Sequence, residues 1–254
     1  MKRLWLTWCM GAAIVAGTVI TLGSGQVLET TAAEAMTAPK AAEYSLDFQN
    51  AKTKGLAVRL KSALVVNYDD GSVLFAKNPD EVRSIASISK LMTAMAVLDM
   101  NPDLAQTAVV SKEDAYRSSR SRMRVGYRLS LSDLLYTSLM ASDNRATRTL
   151  ARTVFGDLDK CIEAMNAKAK ELGLVNTHFV EPTGLDPQNV STASEVAKII
   201  YYARKYALIG KITSISNYQI RILNRKRAMR KSIANTNLLT HSPYNVLAGK
   251  TGYI

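Results

Sequence analysis

SIASISKLMTAMAVLDM, residues 84–100, is an almost unbroken apolar run that opens on hydroxyl side chains and holds a lysine one turn in. Ile88, Leu91, Met92, Met95 and Leu98 recur at helical spacing, and Ala94, Ala96 and Val97 fill the other face. A helix apolar nearly all round is one enclosed by the rest of its fold. Ser87 and Lys90 stand three residues apart at its head, which sets them on one face about a turn apart. A serine hydroxyl is a weak nucleophile until a base lies beside it. Lysine becomes such a base when burial or a neighbouring cation disfavours its ammonium form. The helix start also supplies backbone N–H groups near Ser87, where an oxyanion would develop. The ordinary alternative is a serine that only caps a helix and a lysine that is solvated.

Upstream of this helix, Ser62-Ala-Leu-Val-Val-Asn-Tyr68 and Ser72-Val-Leu-Phe-Ala76 flank Asp70-Gly71 and predict a β-hairpin, because glycine tolerates the positive φ of a tight turn. Downstream, helical patterns dominate. Ser130-Leu-Ser-Asp133 resembles a capping box before Leu134. Further helices are expected over 145–154, over 159–172 with Gly173 as a stop, and from a Thr192–Glu195 cap to Tyr206. Glu181-Pro-Thr-Gly-Leu-Asp-Pro187 is turn-rich and cannot be helix. Tyr244–Ile254 returns to strand-like composition. Hairpin, helices and late strand define an α+β fold, a sheet with helices packed beside it.

Two more short stretches carry chemistry. Ser142-Asp143-Asn144 lies between helical segments, where these residue types also serve as ordinary caps. Lys250-Thr251-Gly252 lies in the last strand; its glycine permits close backbone approach, as a substrate laid along a sheet edge needs, and its lysine and threonine could hold a carboxylate. An ordinary strand ending in a turn would explain the same residues.

The 254 residues are 47% hydrophobic and 21% charged, ordinary for a globular chain, with a net charge of +12. Lys2-Arg3, an apolar run from Leu4 to Leu22 and Ala33-Glu34-Ala35 predict a signal peptide over 1–35, cut before Met36; an uncleaved membrane anchor is the alternative. Residues 36–60 read as a lead-in arm and 61–254 as the body, exported to the periplasm. Cleavage leaves Cys161 as the one cysteine, so no internal disulfide is expected, and its helical setting suits a buried small apolar residue. The basic charge favours anionic surfaces. Its densest run, residues 221–231, reads as a solvated loop or strand face, and no nucleic-acid-reading module accompanies it. With two histidines, His178 and His241, and no ligand cluster, a metal or other cofactor is not expected, and a zinc peptidase is disfavoured.

Ser-x-x-Lys at the head of a buried helix, S-D-N between helices and K-T-G on a late strand follow the order of the serine-acylating penicillin-recognising enzymes. Together with Ile85–Met95, Ser121-Arg-Met-Arg-Val-Gly126 and 164–192, they make residues 60–254 resemble the D-alanyl-D-alanine carboxypeptidase family of low-molecular-mass penicillin-binding proteins, nearest its periplasmic endopeptidase branch. The resemblance implies an antiparallel sheet with flanking helices and a helical subdomain. It implies Ser87 as acylated nucleophile, Lys90 as its base and Ser142 as proton relay. Asn144 would bind the substrate backbone, and Lys250, Thr251 and Gly252 its carboxylate side and extended chain. The N–H groups of Ser87 and Tyr253 would form the oxyanion hole. Peptidoglycan cross-links would be the substrate and β-lactams covalent inhibitors. A class A β-lactamase is the near competitor, but Glu181-Pro-Thr-Gly-Leu185 has leucine where a Glu-x-x-x-Asn loop needs asparagine, so slow release of penicillin is expected.

The family's sheet continues past K-T-G with two strands and a closing helix. The chain is therefore expected to be cut short, with its last strand unpaired and a core layer open to water. Two readings follow: a murein DD-peptidase, or an inactive remnant that binds the wall or does not fold. A purely electrostatic wall- or lipid-binding module is a third.

Overall fold

The computed structural model describes residues 4–9 and 15–20 as strand backbone, and residues 59–118, 121–225 and 229–253 in full. The Ala33-Glu34-Ala35 site and the lead-in arm up to residue 58 lie outside the described residues. Strands β1 (Leu4–Cys9), β2 (Val15–Ile20), β3 (Ser62–Asn67) and β4 (Val73–Lys77) precede a two-residue strand, β5 (Arg83–Ser84). After a single 3₁₀ turn at Ala86–Ile88 comes α1 (Ser89–Asp99). The expected hairpin forms: Asn67 N–H donates to the Ser72 carbonyl at 2.8 Å, and Gly71 takes φ +70° between them. Alternation then sorts β3. Leu64 and Val66 enter the main core, while Ala63 and Val65 join Leu60 and Phe75 on the other face.

Helix α1 is buried from Ser89 to Leu98, as an all-round apolar pattern requires. Short strands β6 (Thr107–Val109) and β7 (Arg128–Ser130) pair and lead into α2 (Leu131–Met140). Then follow α3 (Asn144–Phe155), α4 (Leu158–Glu171), the short β8 (Val190–Ser191), α5 (Ala193–Lys205) and α6 (Ala207–Ser214). The caps explain the helix starts. Ser130 Oγ accepts the Asp133 N–H at 3.0 Å and Thr192 Oγ1 the Glu195 N–H at 3.1 Å, each satisfying a donor with no partner inside its helix. Helix α6 escapes sequence reading because it follows α5 directly at Tyr206, with no side-chain cap and a glycine at position 210. A hairpin of β9 (Asn217–Ile222) and β10 (Met229–Ala234) carries the basic run, and β11 (Val246–Gly252) carries K-T-G.

The main sheet has the order β11-β2-β1-β3-β4, antiparallel throughout. This corrects the expectation of an unpaired last strand. Lys250 stands opposite Gly17 on β2, Thr251 opposite Ala16, and β1 in turn pairs Trp8 with Ala63 on β3. The same apolar run that reads as an export signal is rich in β-prone residues. Two flanking edges with unmet N–H and C=O groups accept it as a hairpin. The places of the two expected absent strands are thus filled by residues 4–9 and 15–20.

Candidate active site

Ser87 lies in the 3₁₀ turn that leads into α1, half-buried at the floor of a cleft. The turn is pinned from several directions. Ile85 N–H donates to the Asn189 carbonyl at 3.0 Å, and Ser89 Oγ to the Ala86 carbonyl at 2.8 Å. Fully buried Asn189 donates through Nδ2 to Ser89 Oγ at 3.0 Å, while its Oδ1 accepts the Val180 N–H at 2.8 Å. One asparagine therefore ties the nucleophile turn to the 180–185 loop behind it.

Lys90 is completely buried, and its ammonium nitrogen is 2.9 Å from Ser87 Oγ, 2.7 Å from Asn144 Oδ1 and 2.5 Å from the Thr183 carbonyl. Burial lowers its pKa to about 7, against the opposing pull of Glu181 and Asp143; Arg148 adds a smaller push in the same direction as burial. A general base titrating near neutrality is matched to proton transfer at physiological pH. Lys250, 1% exposed, donates to Ser142 Oγ at 2.8 Å and to the Thr251 carbonyl at 2.7 Å. Burial first, and then the charge of Lys90, hold its pKa well below the usual lysine range.

The S-D-N turn divides its labour. Ser142 takes φ +55°, turning its hydroxyl toward Lys250. Asp143 is the structural member: its carboxylate caps α3 by accepting the Ala146 N–H at 3.1 Å and also receives Ser121 Oγ at 2.7 Å and the Arg122 N–H at 2.6 Å. Asn144 opens α3 and meets Lys90 directly. Its expected contact with a substrate backbone would use the amide nitrogen, which has no partner among the described residues.

Ser87, Ser142, Asn144, Thr251, Gly252 and Tyr253 all line one cleft of about 550 Å³, with Lys90 and Lys250 behind its wall. Every residue expected at the site is thereby brought to one place. Among the described residues β11 is the outermost strand of its sheet, an edge of the kind an extended chain can join. Several participants were invisible in sequence. The Thr183 carbonyl is backbone, Thr236 meets Thr251 with 2.5 Å between hydroxyls, and Arg117 and Ser118 line the cleft from a loop without a motif. Glu181 does not sit as a free base: its carboxylate accepts the Thr183 N–H at 2.9 Å, Thr183 Oγ1 at 2.6 Å, the Leu185 N–H at 2.8 Å and the Gly184 N–H. Cys161 is buried, with burial pushing its thiol up to about 12, as suits a core residue.

A serine and a lysine in contact at the head of a buried helix, beside an open edge strand bearing K-T-G, define the serine-acylating, penicillin-binding class of fold. The Streptomyces K15 DD-transpeptidase superposes on 79% of this chain and 82% of its own with a TM-score of 0.72 at 27% identity. A D-alanyl-D-alanine carboxypeptidase from Mycobacterium tuberculosis does so over 76% of this chain and 73% of its own, with a TM-score of 0.69 at 29% identity. The sequence profile of the D-alanyl-D-alanine carboxypeptidase family matches residues 48–254, and the chain belongs to that family. It is similar to the D-alanyl-D-alanine endopeptidases of Escherichia coli, 40% identical over 195 residues, and Pseudomonas aeruginosa, 39% identical over 195. These matches cover 76% of this chain and 62% of each endopeptidase, so the chain spans less than two thirds of their length.

Proposed function

We propose that this chain is a serine-type DD-peptidase that cleaves D-alanyl peptide bonds of peptidoglycan, preferring cross-links over free stem ends, in remodelling of the cell wall. The observation that carries the reading is the 2.9 Å contact between Lys90 Nζ and Ser87 Oγ, made by a lysine whose pKa is lowered to about 7. The preference for cross-links is supported by the similarity to two endopeptidases at 39% and 40% identity.

Substrate lies along the open edge of β11, its carboxylate side toward Lys250 and Thr251 and its backbone toward Asn144. Neutral Lys90 takes the Ser87 hydroxyl proton as Oγ bonds to the D-alanyl carbonyl carbon. The N–H groups of Ser87 and Tyr253 hold the oxyanion. The C–N bond then breaks, and the leaving amine takes a proton relayed through Ser142, whose oxygen is held by Lys250 at 2.8 Å. Water, deprotonated by the same lysine, releases the acyl group and restores Ser87. A β-lactam enters the first half of this sequence. Because Glu181 is engaged by its own loop, the second half is slow for the penicilloyl group.

The N-terminal charge and apolar run of 1–35 support export to the periplasm, where this substrate lies. One observation favours the rival reading, an inactive product: the described neighbour of β11 is β2, drawn from that same run. Acylation of the purified full chain by a labelled penicillin, with Ser87→Ala beside it, tests the proposal. Labelling that is lost in S87A is the expected result. A folded chain that takes no label would give way to the rival reading.

A further inference from the structure

Thr236 and Thr251 both line the cleft, and their hydroxyl oxygens are 2.5 Å apart. Two hydroxyls carry two protons, and the one hydrogen bond between them uses only one. Among the described residues each hydroxyl has the other as its partner, so the second proton can turn toward an acceptor in the cleft. Thr236 is exposed, while its neighbours Asn235 and Asn237 are 5% and 4% exposed. Its position does not depend on its own side chain. The Thr236 N–H donates to the Met140 carbonyl at 2.9 Å, two residues before Ser142. Asn235 Nδ2 donates to the Ile215 carbonyl at 2.9 Å, and Asn235 Oδ1 accepts the Asn237 N–H at 2.9 Å. Backbone and buried asparagine thus hold the segment, and the Thr236 hydroxyl is left to the cleft.

Two adjacent hydroxyl donors suit an acceptor with two oxygens. A carboxylate fits best, because hydrogen bonds to an ionised acceptor are stronger than neutral ones. Lys250 cannot supply these contacts alone. It is 1% exposed, and its nitrogen is engaged by Ser142 Oγ at 2.8 Å and the Thr251 carbonyl at 2.7 Å. Its part is the field: a carboxylate arriving at this end favours the ammonium form of Lys250, and the ammonium in turn favours the carboxylate. Direct hydrogen bonds must come from donors at the cleft surface. Resting on the DD-peptidase reading, we propose that Thr236 is a further substrate-binding residue, which joins Thr251 in donating to the substrate's carboxylate. The bond between the two hydroxyls is given up as the carboxylate enters.

Acylation of the full chain by benzylpenicillin, which bears a carboxylate, and by its methyl ester, which does not, tests this. The readout is the ratio of the two second-order rates, in which a general effect on the site cancels. Thr236→Val keeps the shape and removes the donor, and is expected to lower the preference for the free acid by about tenfold. Thr236→Ser should restore most of that preference, and Thr251→Val should lower it as Thr236→Val does. A preference unaltered in T236V, whether both rates change equally or neither does, would overturn the inference. The carboxylate would then lie with another donor, such as Arg117 on the same cleft. If labelling is still lost in S87A, the peptidase reading survives that outcome. A wild-type chain that takes no label removes both.

Discussion

Gly184 lies so close to Ala86 that a β-carbon added to it would stand 1.7 Å from the Ala86 carbonyl oxygen and 2.8 Å from the Ser87 nitrogen. Both residues hold left-handed backbone, with φ +78° and +46°; the glycine takes it without strain and the alanine does not, and the two interlock directly behind Ser87. Gly184→Ala must push the Ala86 peptide away, and with it the Ser87 N–H. We expect penicillin acylation to fall by at least about 100-fold and stability by about 3 kcal/mol or more, read from labelling and a denaturant melt. A variant that acylates normally would show that the oxyanion N–H is not set by this contact.

Lys90 sets the pH dependence. Its pKa is lowered to about 7, and the neutral form is the base, so the acylation rate should rise with pH through about 7 and level off above it. Glu181 is the largest charge opposing that lowering, so Glu181→Gln should move the inflection to lower pH. Lys90→Gln should lose about 1,000-fold in acylation at every pH. Second-order labelling rates across the range check all three, and an inflection that moves upward in E181Q would remove Glu181 from this role.

Asp143 holds two segments at once. Asp143→Ala takes the cap from α3 and leaves the Arg122 N–H without its acceptor, at a cost of about 2–3 kcal/mol. Asp143→Ser keeps a capping oxygen and should recover part of that loss in a thermal melt, but not the ordering of 121–123, which limited proteolysis would report.

The N-terminal strands make a stronger claim. With β2 gone, β11 loses its described neighbour, and Lys250 loses the strand that holds its backbone opposite Gly17. A chain lacking residues 1–20 is expected to melt at lower temperature and to label more slowly than the full chain. Equal labelling of both would mean that the helices and the cleft alone hold K-T-G in place.

Much of the site was legible because its chemistry is written in short, local units. Ser87 and Lys90 meet through helical spacing, and the caps at Ser130 and Thr192 satisfy donors three residues away. Such relations need only neighbours in the chain. The family resemblance then supplied Ser142, Asn144 and Lys250, which no periodicity links to Ser87.

What the sequence by itself determined is the α+β class, the buried helix, the hairpin at 62–77 and the contact between Ser87 and Lys90. Only the tertiary structure decided the state of that pair. The pKa of Lys90 is lowered to about 7 because the packed core removes water from it, and desolvation by distant segments has no signature in a local pattern. The Thr183 carbonyl 93 residues away, the Gly184 contact with Ala86 and the pairing of β11 with β2 depend on which backbone groups remain unmet when the elements assemble. The run read for export lies as β1 and β2 between β3 and β11, and apolar, β-prone residues suit either use.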